Sequence, residues 1–225
     1  MKRQILLLTI LGLGLVSTPL THADFVAKTF VEQKPVKQVA VLSTRQFSLE
    51  YRYPVASVSR VFKDNILLNL AYLSGRVTKA SEIDWATVTQ SQNYQFSLRP
   101  GETFAFHDLV LPQFAGKVAL TTNARFNKQD GFKSDGYLYG DGVCHLASII
   151  SWAAKDAGLT VLAPTNHNFA AIPEVPKSEG VSIYYDPNGM ANSARQNLYV
   201  TNNRSEDVTF TITYQNGNLE VKVSA

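Results

Sequence analysis

The chain of 225 residues has a single cysteine, Cys144, so it cannot form a disulfide bond within itself. Its stability must therefore come from a hydrophobic core, which a hydrophobic content of 45% is sufficient to build. A lone thiol is either a small buried hydrophobe or a reactive group. The absence of a second cysteine thus turns attention to what surrounds the first.

The chain also lacks any run of Lys and Arg residues, and its formal net charge is only +3. A basic stripe is the usual signature of a nucleic-acid-binding surface, so we expect no nucleic-acid partner. No apolar stretch reaches the length of about 20 residues that a membrane-spanning helix needs. These two absences favour a globular protein that acts on something other than nucleic acid.

Residues 1–23 have the organisation of a secretory signal peptide. Lys2 and Arg3 supply the charged start, residues 5–16 form a short apolar stretch, and residues 21–23 (Thr-His-Ala) offer a cleavage site. The alternative is an uncleaved anchor, but the apolar stretch is too short to cross a bilayer comfortably. We therefore expect a secreted, extracytoplasmic protein with no membrane span after cleavage.

The rest of the chain divides into two segments. Residues 24–56 are expected to form an extended N-terminal arm that leads into a strand, and residues 57–225 to form one α+β domain. Within the domain we expect an antiparallel sheet with two principal helices, the second starting at the single cysteine. The oligomeric state cannot be predicted from these patterns.

Hydrophobic spacing predicts the individual elements. Alternation of Phe47, Leu49, Tyr51 and Tyr53 with polar residues indicates a half-buried strand. Apolar residues three and four apart predict a helix over residues 57–73, and a similar stripe predicts one over residues 143–157. Residues 94–98 and 103–106 are expected to pair as a hairpin across the turn between them.

The segment Gly140-Asp141-Gly142-Val143-Cys144-His145 places the cysteine where a glycine-bracketed turn leads into a helix. Asp141 is a candidate for the N-cap of this helix. Unpaired N–H groups and the positive end of the helix dipole would favour a thiolate there. His167 follows the predicted helix and is the first candidate for a base that accepts the thiol proton. The same pattern also fits a buried, inert cysteine.

Three other groups could complete a site. His145 adjoins Cys144, but its side chain would point about 100° away on a helix, which suits structure or substrate binding better than proton transfer. Asp141 or an asparagine beside His167 could orient the base, and the N–H groups of residues 144 and 145 could form an oxyanion hole. A zinc site that included His107 is the weaker alternative, because no ligand pair has the usual spacing. We therefore expect neither a metal nor a cofactor.

Several of these segments resemble the VanW family. Residues 100–106 (Pro-Gly-Glu-Thr-Phe-Ala-Phe) are similar to the family's Pro-Gly-Glu-x-Phe-Ser-Phe element, and residues 140–145 to its Gly-Gly-Gly-Val-Cys-Gln centre. Asn65 and His167 also fall where the family's motifs continue, and the likeness extends over roughly residues 60–215. The chain departs from the pattern by placing an aspartate at residue 141 and a histidine at residue 145.

The family is named for an accessory protein of a vancomycin-resistance cluster, which implies a place in the bacterial cell envelope and points to peptidoglycan. The resemblance implies that the Cys–His region matters, without implying a particular reaction. Our first hypothesis is a thiol-dependent amidase or acyl-transferase on peptide or peptidoglycan, with Cys144 as nucleophile and His167 as base. The alternative is a non-catalytic envelope module that binds cell-wall polymer through aromatic residues and buries its cysteine.

Overall fold

The computed structural model describes residues 39–225. The predicted signal peptide, residues 1–23, and the first part of the predicted arm lie outside the described residues. None of the helices in the described part is long and apolar enough to cross a membrane.

The described part contains two long helices, two short ones and eight strands. The helices are α1 (Ala56–Leu73), α2 (Trp85–Val88), α3 (Val143–Asp156) and α4 (Met190–Arg195). The strands are β1 (Val41–Ser48), β2 (Gln92–Leu98), β3 (Thr103–Ala105), β4 (Val118–Leu120), β5 (Thr160–Leu162), β6 (Tyr199–Thr201), β7 (Val208–Gln215) and β8 (Asn218–Ser224). The two long helices, α1 and α3, are the two that hydrophobic spacing predicts.

The strands form two sheets. The larger is antiparallel in the order β1-β8-β7-β2, and the smaller is mixed, in the order β4-β3-β6-β5, with β3 and β4 parallel. The α+β class with an antiparallel sheet is therefore confirmed, and the small mixed sheet is an addition to it. The predicted hairpin of residues 94–98 and 103–106 is wrong, because β2 pairs with β7 whereas β3 pairs with β6.

The core lies between the antiparallel sheet and the two long helices. Alternate residues of β7 and β8 are buried, and α3 packs against β1 and β8 on one side and against α1 on the other. Alternation with a period of two is what one buried face of a sheet requires. Helix α3, which carries the cysteine, is thus held between the sheet and the other long helix.

The first strand ends earlier than its alternating pattern predicts. Strand β1 pairs with β8 only as far as Ser48, opposite Asn218, where β8 itself begins. Since β8 offers no partner beyond that point, the chain leaves the sheet after Ser48. Arg52 is then buried, whereas Tyr51 and Tyr53 on either side of it are exposed. The predicted strand is therefore wrong in its second half. The prediction that Tyr51 and Tyr53 are its inward-pointing side chains is also wrong, because Arg52 is the buried residue there.

Helix α1 fixes the turn that precedes the cysteine helix. The buried Asn65 amide donates to the carbonyl oxygens of Lys133 and Asp141, both at 3.0 Å, and its oxygen accepts from the Lys133 N–H at 2.8 Å. Gly142 has a φ of +94°, and a Cβ there would lie 2.7 Å from the Phe62 oxygen of α1. Gly142, without a side-chain cap, is the N-cap of α3, so the prediction of Asp141 as the cap is wrong.

Candidate functional site

A cavity of about 340 Å³ opens beside the first turn of α3. All four residues that the sequence analysis selects line it: Asp141, Cys144, His145 and His167. Arg52, which the sequence analysis missed, lines it as well. The fold thus brings together the turn before α3, the start of α3, the segment after β5 and the segment after β1.

Cys144 is half-buried, and its sulfur forms hydrogen bonds with the main chain of Ile183. The Ile183 N–H donates to the sulfur at 3.3 Å, and the thiol donates to the Ile183 carbonyl oxygen at 3.7 Å. Burial raises the pKa of the Cys144 thiol to about 11, and the charge of Asp141 acts in the same direction. In this conformation the sulfur is therefore a protonated thiol at neutral pH, with loss of solvation as the largest cause, and the predicted activation of Cys144 stays a prediction.

The extended segment of residues 180–183, which contains Ile183, is held in place from two sides. On α3, the Ser148 hydroxyl donates to the Cys144 carbonyl oxygen at 2.7 Å and accepts from the Val181 N–H at 2.8 Å. On the other side, the His167 N–H donates to the Gly180 carbonyl at 3.2 Å. A Cβ at Gly180 would lie 2.9 Å from the His167 oxygen, so glycine permits this close approach. The same few residues therefore position both the cysteine and the histidine.

His167 is held in one tautomer by the main chain. Its Nδ1 lies 3.2 Å from the carbonyl oxygen of Ala170. Because a carbonyl can only accept, Nδ1 carries the proton and Nε2 keeps a free lone pair. Burial lowers the pKa of His167, which keeps the ring neutral at neutral pH. The orienting group is thus a carbonyl, rather than Asp141 or Asn166, whose amide donates to the Lys177 carbonyl.

Cys144 and His167 share the cavity without bonding to each other. Within residues 39–225 the sulfur has its hydrogen bonds with Ile183, and the imidazole Nδ1 has its bond with Ala170. This conformation therefore presents a thiol and a neutral imidazole in the lining of one cavity, and not a preformed ion pair.

His145 is 5% exposed and packs against two other rings. The centroid of the His145 ring lies 5.0 Å from the centroid of the Phe62 ring and 6.3 Å from that of the His167 ring. Burial lowers the pKa of His145 to about 3, and the positive charge of Arg52 acts in the same direction. Its Nδ1 is buried and has no hydrogen-bond partner among the described residues. His145 is thus a neutral ring with an unused polar atom.

The Arg52 side chain is fully buried. Its Nη2 lies 2.6 Å from an oxygen of Glu174, and its guanidinium lies 4.1 Å from the centre of the Phe47 ring. Burial lowers the pKa of Arg52 to about 10, so the group remains charged at neutral pH. Its Nε and Nη1 have no partner in the described part of the chain. In the sequence, Arg52 is marked only by its place between Tyr51 and Tyr53, in a segment where apolar and polar residues alternate.

Asp141 serves the loop before α3 rather than the imidazoles. Its carboxylate accepts from the N–H of Asp135 at 3.1 Å, and its main-chain oxygen accepts from Asn65. Burial raises the pKa of Asp141 to about 6. A carboxyl with such a pKa is partly protonated in mildly acidic solution, which reduces negative charge in the cavity.

His107 does not line the cavity. It is buried, with Nε2 3.1 Å from the Gln196 carbonyl oxygen and Nδ1 3.3 Å from the Asn197 amide. Across residues 39–225, no group of three or more His, Cys, Asp or Glu side chains is arranged to hold a metal ion. The zinc alternative therefore finds no support in the described residues.

The chain is similar in sequence to a known protein family. The family model described as VanW like protein matches residues 86–224, well over half of the chain. The matched part includes Cys144, His145 and His167, whereas α1 and Arg52 precede it. No curated protein and no solved structure is similar enough to the chain to count as a match.

Proposed function

The chain belongs to the VanW family, and on this premise we propose that the cavity beside α3 is the active site of a thiol-dependent amidase or acyl-transferase. The observation that carries the proposal is the shared cavity of Cys144 and His167, in which the Ala170 carbonyl leaves Nε2 of the histidine free. A nucleophile, a base and a group that orients the base are the parts that nucleophilic catalysis needs. We propose peptide or peptidoglycan of the cell envelope as the substrate, because the family is an envelope family.

The reaction consists of two acyl transfers. The Cys144 sulfur attacks an amide carbonyl carbon while its proton moves to Nε2 of His167. The intermediate collapses when the amide C–N bond breaks and the leaving amine takes the proton from His167. The product is a thioester on Cys144. Water or a second amine then attacks the thioester and restores the thiol, which gives hydrolysis or transfer.

The protonated thiol of the free protein is compatible with this sequence of steps. A pKa of about 11 leaves little thiolate at neutral pH, so His167 must accept the proton as the sulfur attacks. The sulfur must also leave its bonds with the Ile183 main chain. We therefore expect the Cys144 thiol to be unreactive in the free protein and to become reactive only when a substrate enters the cavity.

The start of α3 supplies donors for the developing oxyanion. The first N–H groups of a helix have no acceptor within it, and those of Cys144 and His145 belong to the first turn of α3. Donors in such positions stabilise a negative oxygen and contribute several kcal/mol to catalysis. The helix end thus acts on the transition state.

The test is to look for an acyl-enzyme. Purified protein without the predicted signal peptide is incubated with peptidoglycan fragments, and its intact mass is followed with time. We expect an adduct on wild type, none on Cys144→Ala, and formation slower by at least about 100-fold in His167→Ala. The matched control is Tyr137→Ala, an exposed position outside the cavity lining, which should acylate at the wild-type rate.

Two results would contradict the proposal. One is product formation by Cys144→Ala that equals wild type, which would remove the cysteine from the reaction. The other is an adduct that forms equally fast in His167→Ala, which would remove the base. Each variant is first compared with wild type by circular dichroism, so that loss of activity is not confused with loss of fold.

A specific observation favours a second candidate, a cell-wall-binding module. Large side chains that line the cavity are partly exposed at its mouth: Tyr53, Leu138, Tyr139, Phe169 and Tyr184. An exposed apolar group of this kind is typical of a binding surface. Sedimentation with purified cell wall that is equal in wild type and Cys144→Ala, and weaker in Phe169→Ala, together with no adduct, would favour this candidate.

A further inference from the structure

Arg52 is an unusual group to find in a cavity wall. It is a charged side chain with no exposed surface, and two of its three guanidinium nitrogens lack partners within residues 39–225. Leaving such donors unpaired in a protein interior is energetically unfavourable, because each has lost its bonds to water without gaining another partner. Since buried polar groups are nearly always bonded, a pair of unused donors on one buried cation calls for an explanation.

A second unused polar atom lies in the same place. His145 Nδ1 is buried without a partner in the described chain, and the charge of Arg52 is close enough to lower the pKa of His145. Both residues line the cavity beside the first turn of α3. The N-terminal turn of a helix attracts negative groups through its free N–H groups and its dipole. Arg52 and the first turn of α3 therefore favour an acceptor with negative charge at this end of the cavity, and His145 can donate to it when Nδ1 carries the ring proton.

We propose that Arg52, His145 and the first turn of α3 form a binding site for the carboxylate of a small peptide ligand. The unused atoms of Arg52 are all donors, and the two oxygens of a carboxylate are the acceptors that guanidinium groups bind best. The cavity of about 340 Å³ lies within the size range of small-molecule sites. Arg52 and Cys144 both line this cavity, so the proposed site places the carboxylate of a small peptide in the same cavity as the thiol.

The guanidinium is held in place before any ligand arrives. Glu174 binds Nη2, and both oxygens of Glu174 also accept from the Ser48 N–H at 3.2 Å. The Phe47 ring covers one face of the guanidinium. A donor that is already fixed loses little conformational entropy when it binds. Glu174 thus positions Arg52, while it also balances its charge.

Asp141 is the only acidic side chain that lines the cavity in the described chain, and it opposes a bound carboxylate. Its pKa of about 6 reduces this opposition in mildly acidic solution. The peptide class of the ligand rests on the proposed function, whereas the carboxylate site itself does not. A carboxylate bound at Arg52 would determine which amide of a peptide faces Cys144.

The test compares one peptide with and without its carboxylate. Acetylated di-alanine with a free C-terminal carboxylate, and its C-terminal amide, are each titrated into Cys144→Ala protein in L and D forms. Binding is measured by calorimetry and by the NMR signals of the arginine Nε–H groups. We expect the acid of at least one form to bind about tenfold or more tightly than its amide, with a shift of the Arg52 signal.

Three variants on the Cys144→Ala background separate this site from a purely structural ion pair. Arg52→Lys keeps a cation for Glu174 but removes the unused donors, so binding should weaken about tenfold or more. Glu174→Gln keeps a hydrogen-bond partner but removes the balancing charge, so binding should become tighter. Arg45→Lys is the matched control, because Arg45 pairs with Asp156 outside the cavity lining. Its affinity should equal that of the parent.

The proposal is overturned if acid and amide bind equally, if neither binds at high millimolar concentration, or if Arg52→Lys binds like its parent. Because these measurements use protein without Cys144, they do not depend on catalysis. Binding without an acyl-enzyme would leave the carboxylate site standing and refute the proposed reaction. An acyl-enzyme that forms without any preference for the carboxylate ligand would support the proposed reaction and refute the carboxylate site.

Discussion

Two buried histidine clusters lie in the same domain and are built in opposite ways. In the His107 cluster, defined by His107, Asn197 and Tyr199, the side-chain nitrogens and oxygens bond to one another or to the main chain. In the Arg52 cluster, defined by Arg52, His145 and Glu174, three nitrogens have no partner among the described residues.

Asn197 shows how complete the first cluster is. Its amide nitrogen lies 3.1 Å from the carbonyl oxygens of His107 and Leu109, and its oxygen accepts from the Leu198 N–H at 2.8 Å. A fully bonded polar network of this kind stabilises one arrangement of the chain. The comparison supports a structural role for the His107 cluster and the proposed ligand-binding role for the Arg52 cluster.

The largest expected effect is in the His107 cluster. Asn197→Leu leaves several buried main-chain and imidazole groups without partners, so the free energy of unfolding should fall by about 4 kcal/mol. Urea denaturation followed by circular dichroism measures this. The control is Asn93→Leu, at an exposed position of β2, which should change it by about 0.5 kcal/mol or less. A loss below about 1 kcal/mol in Asn197→Leu would refute the structural role of the cluster.

The next effect is at the turn that places His145. Gly142→Ala must tolerate both a φ of +94° and a Cβ 2.7 Å from the Phe62 oxygen, so we expect a loss of about 3 kcal/mol. Gly101 also has a positive φ of +81°, but a Cβ there meets nothing within 4 Å. Gly101→Ala should therefore cost only about 1 kcal/mol. Equal losses in the two variants would mean that α1 does not constrain the turn.

Acid titration should expose the burial of His145. Its pKa in the folded chain, about 3, lies below the ordinary value of about 6.5, so the unfolded chain binds the proton more readily. The free energy of unfolding therefore keeps its full value above about pH 6.5. It decreases as the pH falls below that value, by up to about 1.4 kcal/mol per pH unit, because the unfolded chain takes up a proton that the buried ring does not. His145→Gln should flatten this slope between pH 6.5 and 4, measured by urea denaturation. An unchanged slope would show that His145 is not the group that titrates.

The smallest expected effect is at Arg52. Arg52→Met removes a buried cation and leaves Glu174, whose side chain is 49% exposed, to be solvated by water. Replacing a buried ion pair by an apolar side chain is often neutral or stabilising, so we expect a change within about 1 kcal/mol. If thermal and urea denaturation instead show a loss as large as that of Asn197→Leu, the contrast between the two clusters disappears.

Local patterns predicted local structure well. The spacing of Ile66, Leu70 and their neighbours predicts α1, and the glycine-bracketed turn predicts where α3 starts. The turn at residues 99–102 is also correct in position, but it cannot tell which strands the flanking segments will join. Pairing of β2 with β7 and of β3 with β6 depends on contacts about 100 residues away in the chain.

The candidate site was predictable in membership but not in chemistry. Asp141, Cys144, His145 and His167 were selected from the sequence, and all four line one cavity. Burial is a property of the whole fold, however, so no local motif could reveal that loss of solvation raises the pKa of Cys144. Arg52 was missed for the same reason, because an arginine in an alternating segment is ordinarily placed on the solvated face.

The hydrogen bonds between Cys144 and the Ile183 main chain have a consequence for the lifetime of the protein. Oxidation to sulfenic acid and exchange with foreign disulfides both begin from a thiolate that is accessible. A sulfur that is half-buried, satisfied by one peptide unit and protonated up to a pKa of about 11 is a poor target for either. The hydrogen bonds to Ile183 therefore protect the unpaired thiol against oxidation and disulfide exchange while the cavity is empty.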